Sequence, residues 1–175
     1  KMMQVTFFLL LILLAAAFAY PKRYQADPPN IGATALDEYV WKPDSNYGWV
    51  ELTDHQLNGH GLIHRKEKWT GYTLNMTSQA WLTPEAFSNT SNSGSIWYHI
   101  LVVIVPDEVK YKFNGSLYIT GSGQPNPDGS NLPNEKDEDI QVAAALALTS
   151  GLITGVLFQV PNEHVTFASD PIQKS

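Results

Sequence analysis

Residues 117–160 read as a strand, a glycine-containing loop, a helix and a second strand, and this order constrains the fold more than any other feature of the chain. Residues 117–119 are apolar and lead into glycines, and residues 152–160 form a second apolar run after a segment with helical spacing. Such a unit implies two parallel strands joined by a right-handed crossover. The sequence therefore predicts an α/β fold with a sheet that contains parallel strands.

The helix of this unit has recognisable start and stop signals. Asn134 is a suitable N-cap, and residues 135–139 place four acidic side chains near the positive end of the helix dipole. Gly151 is a typical helix stop, because glycine readily adopts the left-handed conformation needed there. The acidic residues are interpreted as helix-start chemistry and not as a calcium loop, because the ligand spacing of an EF-hand is absent.

Upstream residues predict further strands. Residues 100–105 are six consecutive aliphatic residues, which favours a strand buried on both faces. Residues 117–119, the first strand of the crossover unit, are a shorter run of the same kind. Residues 72–82 alternate between apolar and polar positions, which favours an outer strand with one exposed face. Shorter elements are predicted at 34–40 (a helix that ends before Pro43), 48–52 and 61–69 (strands), with a turn at Asn58-Gly59 between the two strands.

The chain opens with an apolar segment that is typical of a secretory signal peptide. From Val5 to Ala19 only Thr6 is polar, and these 15 residues fall short of the ~20 that a membrane-spanning helix needs. Ala17-Phe18-Ala19 offers the small residues that signal peptidase reads, so we predict a signal peptide at 1–19, with an uncleaved anchor as the alternative. Residues 20–33 contain three prolines and are expected to form a flexible lead-in without fixed structure.

Other features agree with export. Three asparagines, Asn75, Asn89 and Asn114, lie in Asn-x-Ser/Thr acceptor sequences and are predicted glycosylation sites. The chain has no cysteine, which excludes disulfides, a thiol nucleophile and a cysteine metal site. The formal net charge is −6, which argues against nucleic acid or anionic membrane surfaces as partners. We expect a secreted, extracellular glycoprotein without a stable membrane span.

Several short blocks of sequence occur in a characteristic order over most of the chain. They are Leu36-Asp37-Glu38-Tyr39-Val40, Thr77-Ser78-Gln79-Ala80-Trp81-Leu82, Trp97-Tyr98-His99, Ile119-Thr120-Gly121 and Gln159-Val160-Pro161-Asn162. In these blocks the chain resembles the PhoPQ-activated pathogenicity-related proteins, a family that includes secreted autocrine proliferation repressor proteins. The resemblance implies that residues 34–175 are the N-terminal half of an α/β-hydrolase-like mixed sheet with flanking helices.

The resemblance also implies where catalysis would occur. By position, the loop Gly121-Ser122-Gly123 is similar to the one that supplies an oxyanion-hole amide in hydrolases, and an ordinary turn after a strand is the alternative. No Gly-x-Ser-x-Gly sequence occurs in these 175 residues, so the nucleophile is expected in a longer parent protein. Two functions stay open: a serine hydrolase acting on a small ester or amide, and a non-catalytic signalling protein that represses proliferation through a cell-surface receptor.

The histidines and tryptophans favour structural roles. His60 and His64 lie four residues apart without a recognisable third ligand, so no metal and no cofactor are expected. His99 is expected to be a buried structural histidine, because a catalytic histidine in this fold follows the nucleophile in the chain. Trp81, Trp97 and Tyr98 are expected to pack in the core or at its edge.

Overall fold

The computed structural model describes residues 34–61, 66–89, 95–121, 131–160 and 165–170. The predicted signal peptide (1–19) and lead-in (20–33), together with Ser122 and Gly123, lie outside these residues. The chain divides into two compact units, Lys1–Pro43 and Asp44–Ser175. Among the described residues, the helices are too short or too polar to cross a membrane.

The first unit contains helix α1 (Ala35–Trp41), which agrees with the helix predicted at 34–40. Thr34 is its N-cap: Thr34 Oγ1 accepts a hydrogen bond from Asp37 N (3.2 Å), and the Asp37 carboxylate accepts one from Thr34 N (2.9 Å). This reciprocal pair is a capping box. The hydrogen bonds from Thr34 lower the pKa of Asp37. Lys42 is already extended, as expected for a residue before proline.

The second unit is built on a mixed six-stranded sheet. Its strands are β1 (Gly48–Glu51), β2 (Leu57–His60), β3 (Lys68–Ala80), β5 (Ile96–Pro106), β6 (Gly115–Ile119) and β7 (Ile153–Leu157). Their order is β1-β3-β5-β7-β6, and β2 pairs with β3 beside β1. β5 is antiparallel to β3 and β7, whereas β6 and β7 are parallel. Helix α2 (Glu138–Ser150) connects β6 to β7, so the predicted strand–helix–strand unit is confirmed.

A second, smaller sheet pairs β4 (Phe87–Asn89) with β8 (Thr166–Phe167) in antiparallel orientation. A 3₁₀ helix at Pro84–Ala86 leads directly into β4. The Ser88 hydroxyl donates to Thr166 O (3.2 Å), which adds a side-chain hydrogen bond to the pair. Residues far apart in the sequence are therefore joined outside the main sheet.

The hydrophobic core lies between α2 and one face of the main sheet, the core face. β5 places Ile100, Val102 and Ile104 on this face with no exposed surface, and β7 adds Val156. The helix supplies Ile140, Ala143, Ala144 and Ala147. Three of these four helix residues are alanine, so the helix backbone can approach the strands closely. Burial of each large aliphatic side chain contributes about 1.5–3 kcal/mol.

Two strands are less buried than the sequence suggests. The prediction that 100–105 is buried on both faces is wrong, because Leu101, Val103 and Val105 are only half-buried on the face opposite α2. The expectation of a buried strand at 117–119 is also wrong: β6 lies at a sheet edge, and Leu117 and Ile119 are each 56% exposed. Hydrophobicity alone could not tell how many faces of each strand the described elements would cover.

β3 also differs from its prediction. It is paired on both sides and is not an outer strand, and its most buried residues are Trp69, Gly71 and Thr73 on the core face. Leu74 and Met76, expected to face the core, are half-buried on the opposite face. The alternation visible in 72–82 was misleading, because most of the buried positions of β3 precede residue 73.

Several boundaries move. Asn58 and Gly59 do not form a turn but lie inside β2, opposite Thr70 and Trp69. Of the strand predicted at 61–69, residues 62–65 lie outside the described residues, and only Lys68 and Trp69 of the rest are in a strand, the start of β3. β7 is shorter than the predicted 152–160.

The ends of α2 give one correction and one confirmation. The N-cap is Asp137, whose Oδ1 accepts from Asp139 N (3.0 Å), and not Asn134. Asn134 instead accepts from Lys136 N (2.9 Å) in the turn before the helix. Gly151 ends the helix as predicted, with a φ of 75°.

We predict that Gly59→Ala destabilises the second unit. A Cβ at Gly59 would overlap the ring carbons Cε2 and Cζ2 of Trp69, whose side chain is 1% exposed and has little room to move. Overpacking of this kind costs about 1–3 kcal/mol. Gly48→Ala is the matched control, because its Cβ would meet nothing within 4 Å. Urea unfolding of both variants checks this; equal midpoints would contradict the tight contact between Gly59 and Trp69.

Candidate functional site at the carboxyl ends of β6 and β7

The parallel strands β6 and β7 end side by side, and their carboxyl ends carry the polar groups of the candidate site. Thr120 N donates to Leu157 O (3.0 Å), and Val160 N donates to Thr120 O (3.2 Å). Gly121, the first residue of the predicted oxyanion loop, follows directly. Ligands of open α/β sheets bind beyond the carboxyl ends of the strands. This edge is therefore the position in the sheet that suits a binding site.

Gln159 interrupts the hydrogen-bond ladder between the two strands. In a regular parallel ladder the amide of residue 159 would pair with Thr120 O, but that carbonyl accepts from Val160 N. Gln159 has a φ of 61°, which is the left-handed region, and acts as the extra residue of a bulge. A non-glycine residue held in this conformation is strained by about 1–3 kcal/mol.

The side chain of Gln159 is also unusual. It is 5% exposed, and its Oε1 is buried and has no hydrogen-bond partner among the described residues. A buried acceptor left unpaired costs about 1–3 kcal/mol. Two unfavourable features, backbone strain and an unpaired acceptor, therefore coincide at one residue beside the predicted loop.

Gly121 lies against the end of β7. A Cβ built on Gly121 would stand 3.3 Å from Val160 O, which is tighter than an ordinary van der Waals contact. A side chain here would push the loop away from β7, so glycine favours the close approach of the two backbones. Of the three predicted loop residues, the structure describes Gly121; Ser122 and Gly123 lie outside the described residues.

Asp139 connects the start of α2 to the end of β6. The Thr120 hydroxyl donates to Asp139 Oδ2 (2.9 Å), and the Tyr118 hydroxyl donates to the same carboxylate. This hydrogen bond and the negative charge of Asp139 raise the pKa of Tyr118. The acidic cluster at 135–139 thus contains a residue with a second role, because Asp139 holds the amino end of the helix next to Gly121.

His99 lies on β5, next to the end of β7. It is 8% exposed, and its Nδ1 donates to Phe158 O (3.0 Å). A carbonyl oxygen can only accept, so this nitrogen carries the ring proton. Burial lowers the pKa of His99, and hydrogen bonds to the Phe158 and Gln159 carbonyls partly oppose this effect. The contacts agree with the structural role expected for His99.

An aromatic cluster packs beyond His99 on the same face of β5. Trp97 contacts Trp81 and Phe87 with ring centroids 5.6 Å and 6.1 Å apart, and Phe87 contacts Phe167 at 5.6 Å. Trp97 lies two residues before His99 and therefore shares its face of the strand. The expected packing role of Trp81 and Trp97 is confirmed, and the cluster joins the small sheet to the main one.

The other predicted site residues are dispersed. Asn114 is exposed immediately before β6, Asn75 is half-buried in the middle of β3, and Asn89 is the last residue of β4. His60 is exposed in β2, and His64 lies outside the described residues. Where side chains are described, histidine, aspartate and glutamate form no group of three or more that could hold a metal ion.

A cavity of about 220 Å³ lies at the opposite end of the sheet. Its lining combines the lysines Lys66, Lys68 and Lys110 with three acidic residues around Pro106 and Leu148. The balanced charge selects no class of ligand. We therefore place the candidate site at the carboxyl ends of β6 and β7, where strain and an unpaired polar atom occur together.

Sequence reasoning missed Asp139 and Gln159 as site residues, although both lay in segments that it singled out. Asp139 belongs to the acidic cluster and Gln159 to the block Gln159-Val160-Pro161-Asn162. For Gln159 the available signal was a polar residue shortly after an apolar strand, at the edge where parallel strands end. For Asp139 it was an acidic residue in the first turn of the helix that follows the predicted loop.

Comparison with known proteins identifies relatives. A family model described as PhoPQ-activated pathogenicity-related protein matches residues 36–175. The chain is 29% identical over 145 residues to autocrine proliferation repressor protein A of Dictyostelium discoideum. This alignment covers 83% of the chain and 25% of the relative, so the chain spans about a quarter of that protein. No solved structure matches the chain.

We predict that His99 makes stability depend on pH. Because burial lowers its folded-state pKa below the ordinary value of 6.5, the unfolded chain binds the proton more strongly. The free energy of unfolding should therefore fall as pH decreases below about 6.5 towards the folded-state pKa. Chemical denaturation at about pH 7 and about pH 5 should show a smaller loss for His99→Gln than for the unmodified chain.

His60→Gln is the control, because His60 is exposed and should leave the pH dependence unchanged. An identical loss of stability in the unmodified chain and in His99→Gln would show that another group controls the acid sensitivity.

Proposed function

This chain belongs to the PhoPQ-activated pathogenicity-related protein family, and we propose that it is the N-terminal part of a secreted, α/β-hydrolase-like protein whose full-length form is a serine hydrolase. Its substrate would be a small ester or amide. The observation that carries the proposal is Gly121, which follows β6 at the carboxyl edge of a mixed sheet.

The sheet topology supports an α/β-hydrolase-like fold. β3, β7 and β6 run in one direction, β5 runs in the other, and α2 crosses from β6 to its neighbour β7. In α/β-hydrolases the loop after the third strand contributes a backbone N–H to the oxyanion hole. β4 belongs to the small sheet, so the strands of the main sheet from β3 onward are β3, β5 and β6 in chain order. The third of these is β6, and the loop after it begins with Thr120-Gly121.

The proposed chemistry needs a backbone donor at this position. When a serine attacks an ester or amide carbonyl, negative charge develops on the carbonyl oxygen, and a fixed N–H stabilises it. Removal of one such donor typically slows an enzyme by about 10²–10³-fold. Thr120 and Asp139 hold the strand end from which Gly121 projects, so the loop starts from a fixed point.

Export and glycosylation are part of the proposal. We expect the protein expressed in eukaryotic cells to enter the medium with Tyr20 as its first residue, because the segment 1–19 has the pattern of a cleaved signal peptide. Asn114→Gln should remove one glycan, since Asn114 is exposed before β6. N-terminal sequencing and mass measurement before and after enzymatic deglycosylation check both points. Asn75 is half-buried in β3, which makes Asn75→Gln the comparison expected to change the mass less. A secreted form that keeps residues 5–19 would contradict the signal peptide.

Catalysis is tested in the full-length protein. Gly121→Ala should lower kcat for p-nitrophenyl butyrate by about 10-fold or more with little change in KM, because the added Cβ meets Val160 O and displaces the loop. Gly48→Ala, which has open space around its Cβ, is the control. If the folded full-length protein cleaves no ester or amide, the hydrolase proposal is wrong.

The relative of Dictyostelium discoideum favours a second candidate function, because its name describes an autocrine repressor of proliferation. In that case the protein would be a non-catalytic secreted signal that acts through a cell-surface receptor. Replacement of the nucleophilic serine by alanine separates the two. Repression of cell growth by that variant would favour the signal, and loss of repression together with ester cleavage would favour the enzyme.

A further inference from the structure

Among the described residues, Gln159 is the one at which a left-handed non-glycine backbone and an unpaired buried side-chain atom coincide. Its backbone is in the left-handed region at φ 61°, its side chain is 5% exposed, and its Oε1 has no hydrogen-bond partner within the part of the chain that the structure describes. Glycine at this position would relieve the strain, and an apolar side chain would avoid the unpaired acceptor. Strained residues cluster at functional sites, and a buried polar group without a partner is uncommon enough to need an explanation. A role in ligand recognition accounts for both features.

Two donors at this edge are bonded to other groups. His99 Nδ1 donates to Phe158 O, and the Thr120 hydroxyl donates to Asp139. Neither of these two donors pairs with Gln159 Oε1. Gln159 is also close to the predicted oxyanion loop, because its neighbour Val160 contacts both Thr120 and Gly121.

We propose that Gln159 Oε1 accepts a hydrogen bond from the N–H of an amide substrate, so that the site prefers amides to the corresponding esters. This inference rests on the proposed hydrolase function and names its substrate class. An amide nitrogen carries a hydrogen that Oε1 can accept, whereas the bridging oxygen of an ester has none. A site with a buried acceptor discriminates strongly against an analogue that lacks the donor, because the acceptor is then left unpaired.

The reaction is an ordinary hydrolysis. The serine oxygen bonds to the carbonyl carbon, and the carbonyl electron pair moves onto the oxygen beside the Gly121 N–H. When that pair returns, the C–N bond breaks, and the nitrogen leaves as an amine with the proton that the serine hydroxyl lost. Water then adds to the acyl-enzyme and releases the acid and the free serine. Throughout, Gln159 holds the N–H and thereby orients the leaving group.

The test compares two substrates with the same acyl group, p-nitrophenyl butyrate and butyryl p-nitroanilide, in the full-length protein. Gln159→Leu removes the acceptor at similar size and should lower the ratio of kcat/KM for the anilide to kcat/KM for the ester by about 10- to 100-fold. Gln159→Glu keeps an acceptor oxygen and should recover part of the anilide activity. Circular dichroism and thermal unfolding check that each variant is folded.

Gln56→Leu makes the same chemical change at an exposed position and should leave both rates unchanged. Equal losses for ester and anilide in Gln159→Leu, or no loss for either, would overturn the role of Gln159. In that case, ester cleavage by the unmodified protein would still support the hydrolase proposal. An unmodified protein that is folded and cleaves neither substrate would overturn both.

Discussion

The packing of α2 on the core face of the sheet is the interaction on which the rest of the second unit depends. Its alanines let the helix approach Ile100, Val102 and Ile104, and this burial offsets the entropy of ordering the long crossover between β6 and β7. Because the crossover closes onto the sheet, the two parallel strands become neighbours. Gly121 and Gln159 are separated by 37 intervening residues, and this pairing brings them to the same edge of the sheet.

Polar contacts then fix the carboxyl ends of β6 and β7, which hydrophobic packing brings side by side. Asp139 receives hydrogen bonds from Thr120 and Tyr118, so the first turn of α2 is held at the end of β6. His99 holds the end of β7 from its other side, through the carbonyl of Phe158. Gln159 lies between these two attachments. Its strained backbone can persist because the strand ends on both sides are fixed.

The extent to which the sequence predicts this structure varies by element. The crossover unit and its stop at Gly151 could be predicted, because helical spacing and a left-handed glycine are local signals. The family was also evident from ordered blocks of residues, and the comparison confirms it. The buried face of β3 could not be predicted, since its pairing with β5 and the ring of Trp69 over Gly59 decide it.

The candidate site shows the same division. Gly121 could be singled out because glycines after a strand are visible in the sequence, and its part in an oxyanion hole stays a prediction. The sequence could not decide between Asn134 and Asp137 as the N-cap, because both residues fit the local pattern. The structure shows that the helix begins after Asp137. The bulge at Gln159 is invisible to periodicity, because it depends on which amide reaches Thr120.

The strand pairings also have a consequence for the order of folding. β3 and β5 form a long antiparallel pair between chain segments that are near in sequence, so closing their loop costs comparatively little entropy. The two pairings of β7 close longer loops, because β7 meets β6 only after the crossover helix and meets β5 across a still longer stretch of chain. Placing β7 therefore costs the most loop-closure entropy in this sheet. Gln159 lies just beyond β7, so its position depends on the most expensive strand placement in the second unit.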